Sequence, residues 1–157
     1  MTPEQIKEVF NYSVNIRGTV LSKTVHIERL MDQYLAEYFC ETEKKRLQIS
    51  ELWLWTERAT FDLKRQILSK IIPNGNEDFL TSLEEIAPHR NVFAHLEVNV
   101  ERLSDFFTLN QIVFKSFSNG KKKDKIYTVE TIKNLEKSME KSIEGLKRLL
   151  LATPPRS

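Results

Sequence analysis

Along most of this chain, apolar residues recur at steps of three and four, the period of an amphipathic helix. The first run takes in Ile6, Val9, Phe10, Val14, Val20, Leu21, Ile27, Met31, Leu35 and Phe39, with no proline between them. Thr2, Pro3 and Gln5 read as its start: a capping threonine, a proline at the first helical position and a capping-box partner. The polar stretch 11–15 predicts a break that gives a short helix and then a long one. Gly18 costs about 1 kcal/mol against alanine inside a helix, so a closely packed neighbour is expected there. Arg17 and Glu28 set two charges on or beside the apolar stripe. A polar connection over 41–46 precedes a second tract from Leu47 to Ile72, with a bend expected at 56–60. Its apolar side is supplied by Leu52, Leu54, Trp55, Phe61, Leu63, Ile67, Leu68 and Ile71. Trp53 and Trp55 cannot both face one core, which leaves one of them for an interface. Pro73-Asn74-Gly75-Asn76 is a stop and turn, and Asn76 can cap the next helix, carried by Phe79, Leu80, Leu83 and Ile86. Pro88 inside that helix removes a backbone donor and predicts a kink or a restart.

After Val98 the pattern changes. Residues 111–117 alternate partly, Asn119-Gly120 is a hairpin turn, and 125–128 can form the returning strand. Thr128 is placed to cap a last helix with a seam of Ile132, Leu135, Met139, Ile143, Leu146 and Leu150. Lys133, Lys137 and Lys141 line one flank of it and Glu136, Glu140 and Glu144 the other, as a solvated face. Pro154-Pro155 ends the pattern in a loose tail. The fold class that follows is all-α: an antiparallel bundle of four or five main helices with a small β-hairpin before the last. One domain over residues 1–157 is expected.

Composition narrows the function classes only a little. The net charge of +2 in 157 residues neither demands nor excludes nucleic acid. No stretch has the length of a membrane span, and the N-terminus lacks the layout of a signal peptide. A single cysteine, Cys40, cannot form an internal disulfide and fits a reducing cytoplasm. Lys121, Lys122, Lys123 and Lys125 make the hairpin tip basic, either as a solvated tip or as a contact that tracks a nucleic-acid backbone.

The stretch that carries chemistry is His89-Arg90-Asn91-Val92-Phe93-Ala94-His95, which holds two of the three histidines. On a helix, Arg90 and Ala94 share a face, and His95 lies about 140° round from Arg90, roughly one turn along. A permanent cation, an amide and a group that titrates near neutrality suit a phosphodiester. Metal binding fits poorly, because His89 and His95 do not share a face and no cysteine or second carboxylate lies nearby. There is no triad signature and no glycine-rich phosphate loop. No cofactor is expected. From the residues alone, Arg90 pairing with Glu28 and His95 satisfying buried polar groups is the simpler reading.

Arg90-Asn91-x-x-Ala94-His95 resembles the R-x4-6-H motif of the HEPN superfamily, in the form with asparagine after the arginine. The surroundings are similar too: Ile16-Arg17-Gly18-Thr19 opening a long helix with Glu28 and Asp32, then helices at 61–72, 79–95 and 129–150. The resemblance implies a helical bundle that dimerises, bringing two motifs into one cleft. It further implies a metal-independent endoribonuclease of a bacterial defence or toxin–antitoxin type. His95 would be general base or acid, Arg90 would stabilise phosphate charge, Asn91 would orient substrate or His95, and Glu28 would be an outer partner of Arg90. Cleavage by the 2′-hydroxyl would leave a 2′,3′-cyclic phosphate. The partners implied are a second copy, RNA, and an antitoxin or defence-system protein.

Two positions depart from the pattern. Some such toxins carry a modified tyrosine two residues after the histidine, where this chain has Glu97, and Pro88 adjoins the motif. The alternative is a non-catalytic HEPN-like binding or assembly module in which the motif holds a dimer together. A nucleotide-sensing subunit is a third reading. His89 is expected at the surface or the edge of the cleft, without an assigned role.

Overall fold

The structure, a computed structural model, describes residues 1–118 and 121–152, apart from the side chains of Glu77 and Ser118. The expected Asn119-Gly120 turn and the Pro154-Pro155 tail lie outside the described residues. Among the described residues the chain is an all-α bundle with a small antiparallel β element. The main helices are α1 (Pro3–Phe39), α3 (Phe61–Ile71), α4 (Glu77–His95) and α6 (Val129–Ala152). Two short ones, α2 (Glu43–Ile49) and α5 (Asp105–Leu109), join them. No helix is long and apolar enough to cross a membrane.

Helix α1 starts as its sequence dictates. The Thr2 amide donates to Gln5 Oε1 at 2.9 Å and the Gln5 amide to Thr2 Oγ1 at 3.3 Å, a closed capping box. The expected break at 11–15 is absent, and α1 runs unbroken for 37 residues. Ser13 is buried and donates its hydroxyl to the Phe10 carbonyl at 2.8 Å, while Asn11 and Asn15 face solvent. The polar stretch is thus satisfied within the helix. Gly18 is also not as expected: it is exposed, and a Cβ there would meet nothing within 4 Å. The close approach occurs instead at Gly145 in α6, where a Cβ would lie 2.5 Å from the Phe79 ring.

Contacts divide the chain into two compact units, 1–23 with 88–137, and 24–87 with 138–157. The first unit holds the β element. Strand β1 (Gln111–Phe114) pairs antiparallel with β4 (Lys125–Thr128) in the register Gln111 to Thr128 and Phe114 to Lys125. Strands β2 (Phe117–Ser118) and β3 (Lys121–Lys122) form a second short pair. On the other edge of β1, the Asn99 amide donates to the Val113 carbonyl at 2.7 Å and the Lys115 amide to the Glu97 carbonyl at 2.8 Å. Phe93, Phe114 and Tyr127 form the aromatic core of this unit, with centroids 4.8 to 5.7 Å apart. Thr128 caps α6, accepting from the Thr131 amide at 3.1 Å.

Among the described residues the second unit holds helices and turns and no strand. Leu35, Ala36 and Leu54 are buried together, with Ile49, Trp53, Ile67 and Ile71 packed against them. The tract expected over 47–72 divides at the predicted place: α2 passes into a π-helical turn (Ser50–Leu54), and Thr60 caps α3 by accepting from the Leu63 amide. Of the two tryptophans, Trp53 is half-buried and Trp55 is exposed. Gly75 takes φ +91° in the turn before α4, a conformation that favours glycine. Helix α4 then continues through Pro88 without a restart. Glu84, whose carbonyl loses its donor there, is at the surface, where water can serve it.

Candidate functional site

The expected site lies at the C-terminal end of α4, in the first unit. Val92 and Phe93 are buried and turn one side of the helix inward. Arg90, Ala94, Asn91 and His95 therefore share the opposite arc, about 140° wide at about 100° per residue. Asn91 and His95 are exposed and Arg90 is half-buried. Arg90 Nη1 lies 3.5 Å from Asn91 Oδ1, at the long limit of a hydrogen bond. The arc thus holds a half-buried cation beside an exposed amide and an exposed imidazole.

What fixes this end of the helix is Arg17. Its Nη2 donates to the Leu96 carbonyl, just beyond His95, and its guanidinium lies over the Phe114 ring at 5.5 Å. A cation at a helix C-terminus is favoured by the helix dipole and satisfies a carbonyl that has no helical partner. The next residues are tied down by Asn99, which is buried. Its Nδ2 donates to Asp124 Oδ2 at 3.1 Å and its Oδ1 accepts from the Glu101 amide at 3.1 Å. Arg102 continues the chain of contacts to Asp105 at 2.7 Å. His95 therefore projects from a helix end that is held on both sides.

His89 has a different place from the one expected. It is half-buried, with Nδ1 2.8 Å from the Tyr127 hydroxyl and the two rings edge to face. Burial pushes the Tyr127 phenol up to about 12, so it remains a hydroxyl through the physiological range. His89 and Tyr127 wall a cleft of about 140 Å³ together with Pro88, Val92, Lys125 and Ile126.

At the basic tip, Lys121, Lys122 and Lys123 are exposed. Lys122 pairs with Glu101, Nζ to Oε2 at 2.9 Å, which lifts the lysine and lowers the carboxyl from their usual ranges. Glu28 is half-buried in the second unit, where its charge adds to the upward push on Asp32. Among the described residues no three His, Cys, Asp or Glu side chains are grouped to hold a metal ion.

Sequence reasoning picked out Arg90, Asn91 and His95 but missed their supports. Arg17 stood out as a charge beside an apolar stripe and in the 16–19 stretch of the resemblance, Tyr127 as a strand residue, and Asn99 had no reading. Their partners lie 79, 38 and 25 positions away, beyond any local pattern. Comparison with family models, curated proteins and solved structures finds no match to this chain.

Proposed function

We propose that this protein is a metal-independent endoribonuclease of the HEPN type, working as a homodimer in a reducing cytoplasm as part of a defence or toxin–antitoxin system. The observation that carries the reading is the shared open arc of Arg90, Asn91 and His95 at an anchored helix end. His95 takes the proton of an RNA 2′-hydroxyl, whose oxygen attacks the adjacent phosphorus. The bond to the 5′-oxygen breaks, that oxygen gains a proton, and a 2′,3′-cyclic phosphate remains. Arg90 matches the oxygens of the crowded phosphate and stabilises their added charge. Asn91 orients the phosphate or the imidazole. In-line displacement takes a base on one side and an acid on the other, and one motif supplies a single free-standing imidazole. A second copy facing the first would supply the other. Lys121 and Lys123 would track the strand's backbone, with Lys122 recruited from Glu101.

The test is cleavage of a labelled single-stranded RNA in excess EDTA. Wild type is expected to give cyclic-phosphate ends, with activity down about 10²–10⁴-fold in His95→Ala and Arg90→Ala at unchanged circular dichroism. Intact RNA under these conditions, or cleavage indifferent to His95, sinks the reading. If RNA stays intact while Arg90→Ala dissociates a dimer in light scattering, the motif belongs to a non-catalytic assembly module instead.

A further inference from the structure

One cleft in the second unit has no part in the proposed reaction. It encloses about 660 Å³ between the later turns of α1, α2 and the π-helical turn. That lies within the usual range for small-molecule sites, about 300–1,000 Å³. Its local geometry comes from the π-turn. The Trp55 amide donates five residues back to the Ser50 carbonyl at 2.9 Å, which sets the Ser50 and Trp55 side chains beside the same cleft. Such turns are uncommon and are found frequently at functional sites.

Most charges around the cleft are already engaged. Asp32 Oδ1 meets buried Lys64 Nζ at 2.8 Å. Glu37 accepts from Gln33 Nε2 at 3.0 Å. Arg46 donates to the Cys40 and Glu41 carbonyls that close α1. What remains to meet a ligand is distinctive. Ala36, Leu47 and Trp55 give an apolar wall, with Trp55 63 % exposed. Ser50 is only 8 % exposed, and its hydroxyl has no hydrogen bond among the described residues. Arg29 stands on the α1 face of Asp32, Gln33 and Ala36, with no ion pair among the described residues.

We infer that this cleft binds a small aryl carboxylate. The flat ring would stack on the Trp55 indole against Leu47 and Ala36, the carboxylate would take the Arg29 guanidinium, and the Ser50 hydroxyl would donate to the ligand from within. An acid is matched by the two guanidinia of the lining: Arg46 donates only to neutral carbonyls, Arg29 has no ion pair among the described residues, and the Asp32 charge is held by Lys64. Glu43 at the rim limits the ligand to a single compact anionic group.

The test uses the full chain and 2-naphthoate as the probe, followed by calorimetry and by quenching of tryptophan fluorescence. Binding in the micromolar to submillimolar range is expected, at least tenfold tighter than 2-naphthylmethanol, which lacks the charge. Trp55→Ala should abolish it and Arg29→Ala weaken it at least tenfold. Both positions are exposed, so the fold should survive, which circular dichroism checks. Absence of binding, equal binding of acid and alcohol, or binding indifferent to both substitutions overturns the inference. Preference for 2-naphthylmethylamine, an alkylammonium cation at neutral pH, over 2-naphthoate would overturn the charge assignment in favour of the acidic rim.

Discussion

Each unit buries a basic side chain, and each compensates it differently. In the second, Lys64 is 5 % exposed and meets Asp32, which is 6 % exposed, in a closed ion pair. In the first, half-buried Arg17 meets no carboxylate among the described residues. It has the Leu96 carbonyl and the face of Phe114. The ion pair contains two desolvated charges, each of which keeps the other tolerable. Arg17 needs only dipoles and a ring, because a guanidinium is weakly hydrated and part of it stays wet. The ion pair is structural lock-in. The Arg17 arrangement leaves a positive charge beside the end of the helix that carries His95.

The strongest way to break this contrast is Lys64→Ala. It strands a carboxylate in the interior and should cost about 3–5 kcal/mol in urea unfolding. Replacing both partners, Asp32→Leu with Lys64→Met, should recover most of that loss; if it does not, the pair is more than a mutual neutraliser. The pH dependence has a definite sign. Burial, foremost, raises Asp32 above its ordinary range, against the lowering influence of Lys64. The folded chain therefore holds that proton more tightly than the unfolded one. Stability from this group falls as pH rises from about 4 through the raised folded value, and is relieved on acidification. Urea melts of wild type against Asp32→Asn across that window should show the gap moving in favour of wild type as pH falls.

Arg17→Met sharpens the other half. Losing a charge-assisted bond to a carbonyl costs about 1.5–3 kcal/mol, and amide exchange should quicken first at residues 96–99. Uniform quickening across α1 would show that Arg17 is not a local anchor. The smallest effects concern the two glycines. Gly145→Ala should destabilise by about 1–3 kcal/mol, since its methyl enters the Phe79 ring. Gly18→Ala should stabilise by up to about 1 kcal/mol, with open space around it. Thermal unfolding reads both.

Signals that act within one turn were legible. The capping box at Thr2, the threonine cap at 128, the bend at 56–60, strand 125–128 and the stop at Gly75 could all be seen as residue types at fixed offsets. The failures arose where water or a distant partner decides. Polar residues at 11–15 look like a break only if their side chains compete with the backbone, and Ser13 bonds within the helix instead. Pro88 looks like a restart only if its lost bond is buried. Spacing alone could not tell Gly18 from Gly145, because the difference is one phenylalanine ring. The short elements at 100–109 had too few residues to show a period. At the site, the helical arc of Arg90, Asn91 and His95 follows from spacing. The positions of Arg17, Asn99 and Tyr127 follow from chain crossings that no local pattern records.

The buried Tyr127 phenol gives the first unit a built-in optical gauge. Phenolate absorbs near 295 nm and phenol does not, so alkaline titration followed there reads Tyr127, which burial holds up to about 12. In the unfolded chain the same hydroxyl ionises near 10. Between those values the unfolded form gains a charge that the folded form refuses, and rising pH pulls the ribbon apart. The ionisation of Tyr127 should therefore be slow and cooperative, reporting the opening of the strands that hold His89 and Phe93 in place, and a stopped-flow jump to alkaline pH would resolve that phase.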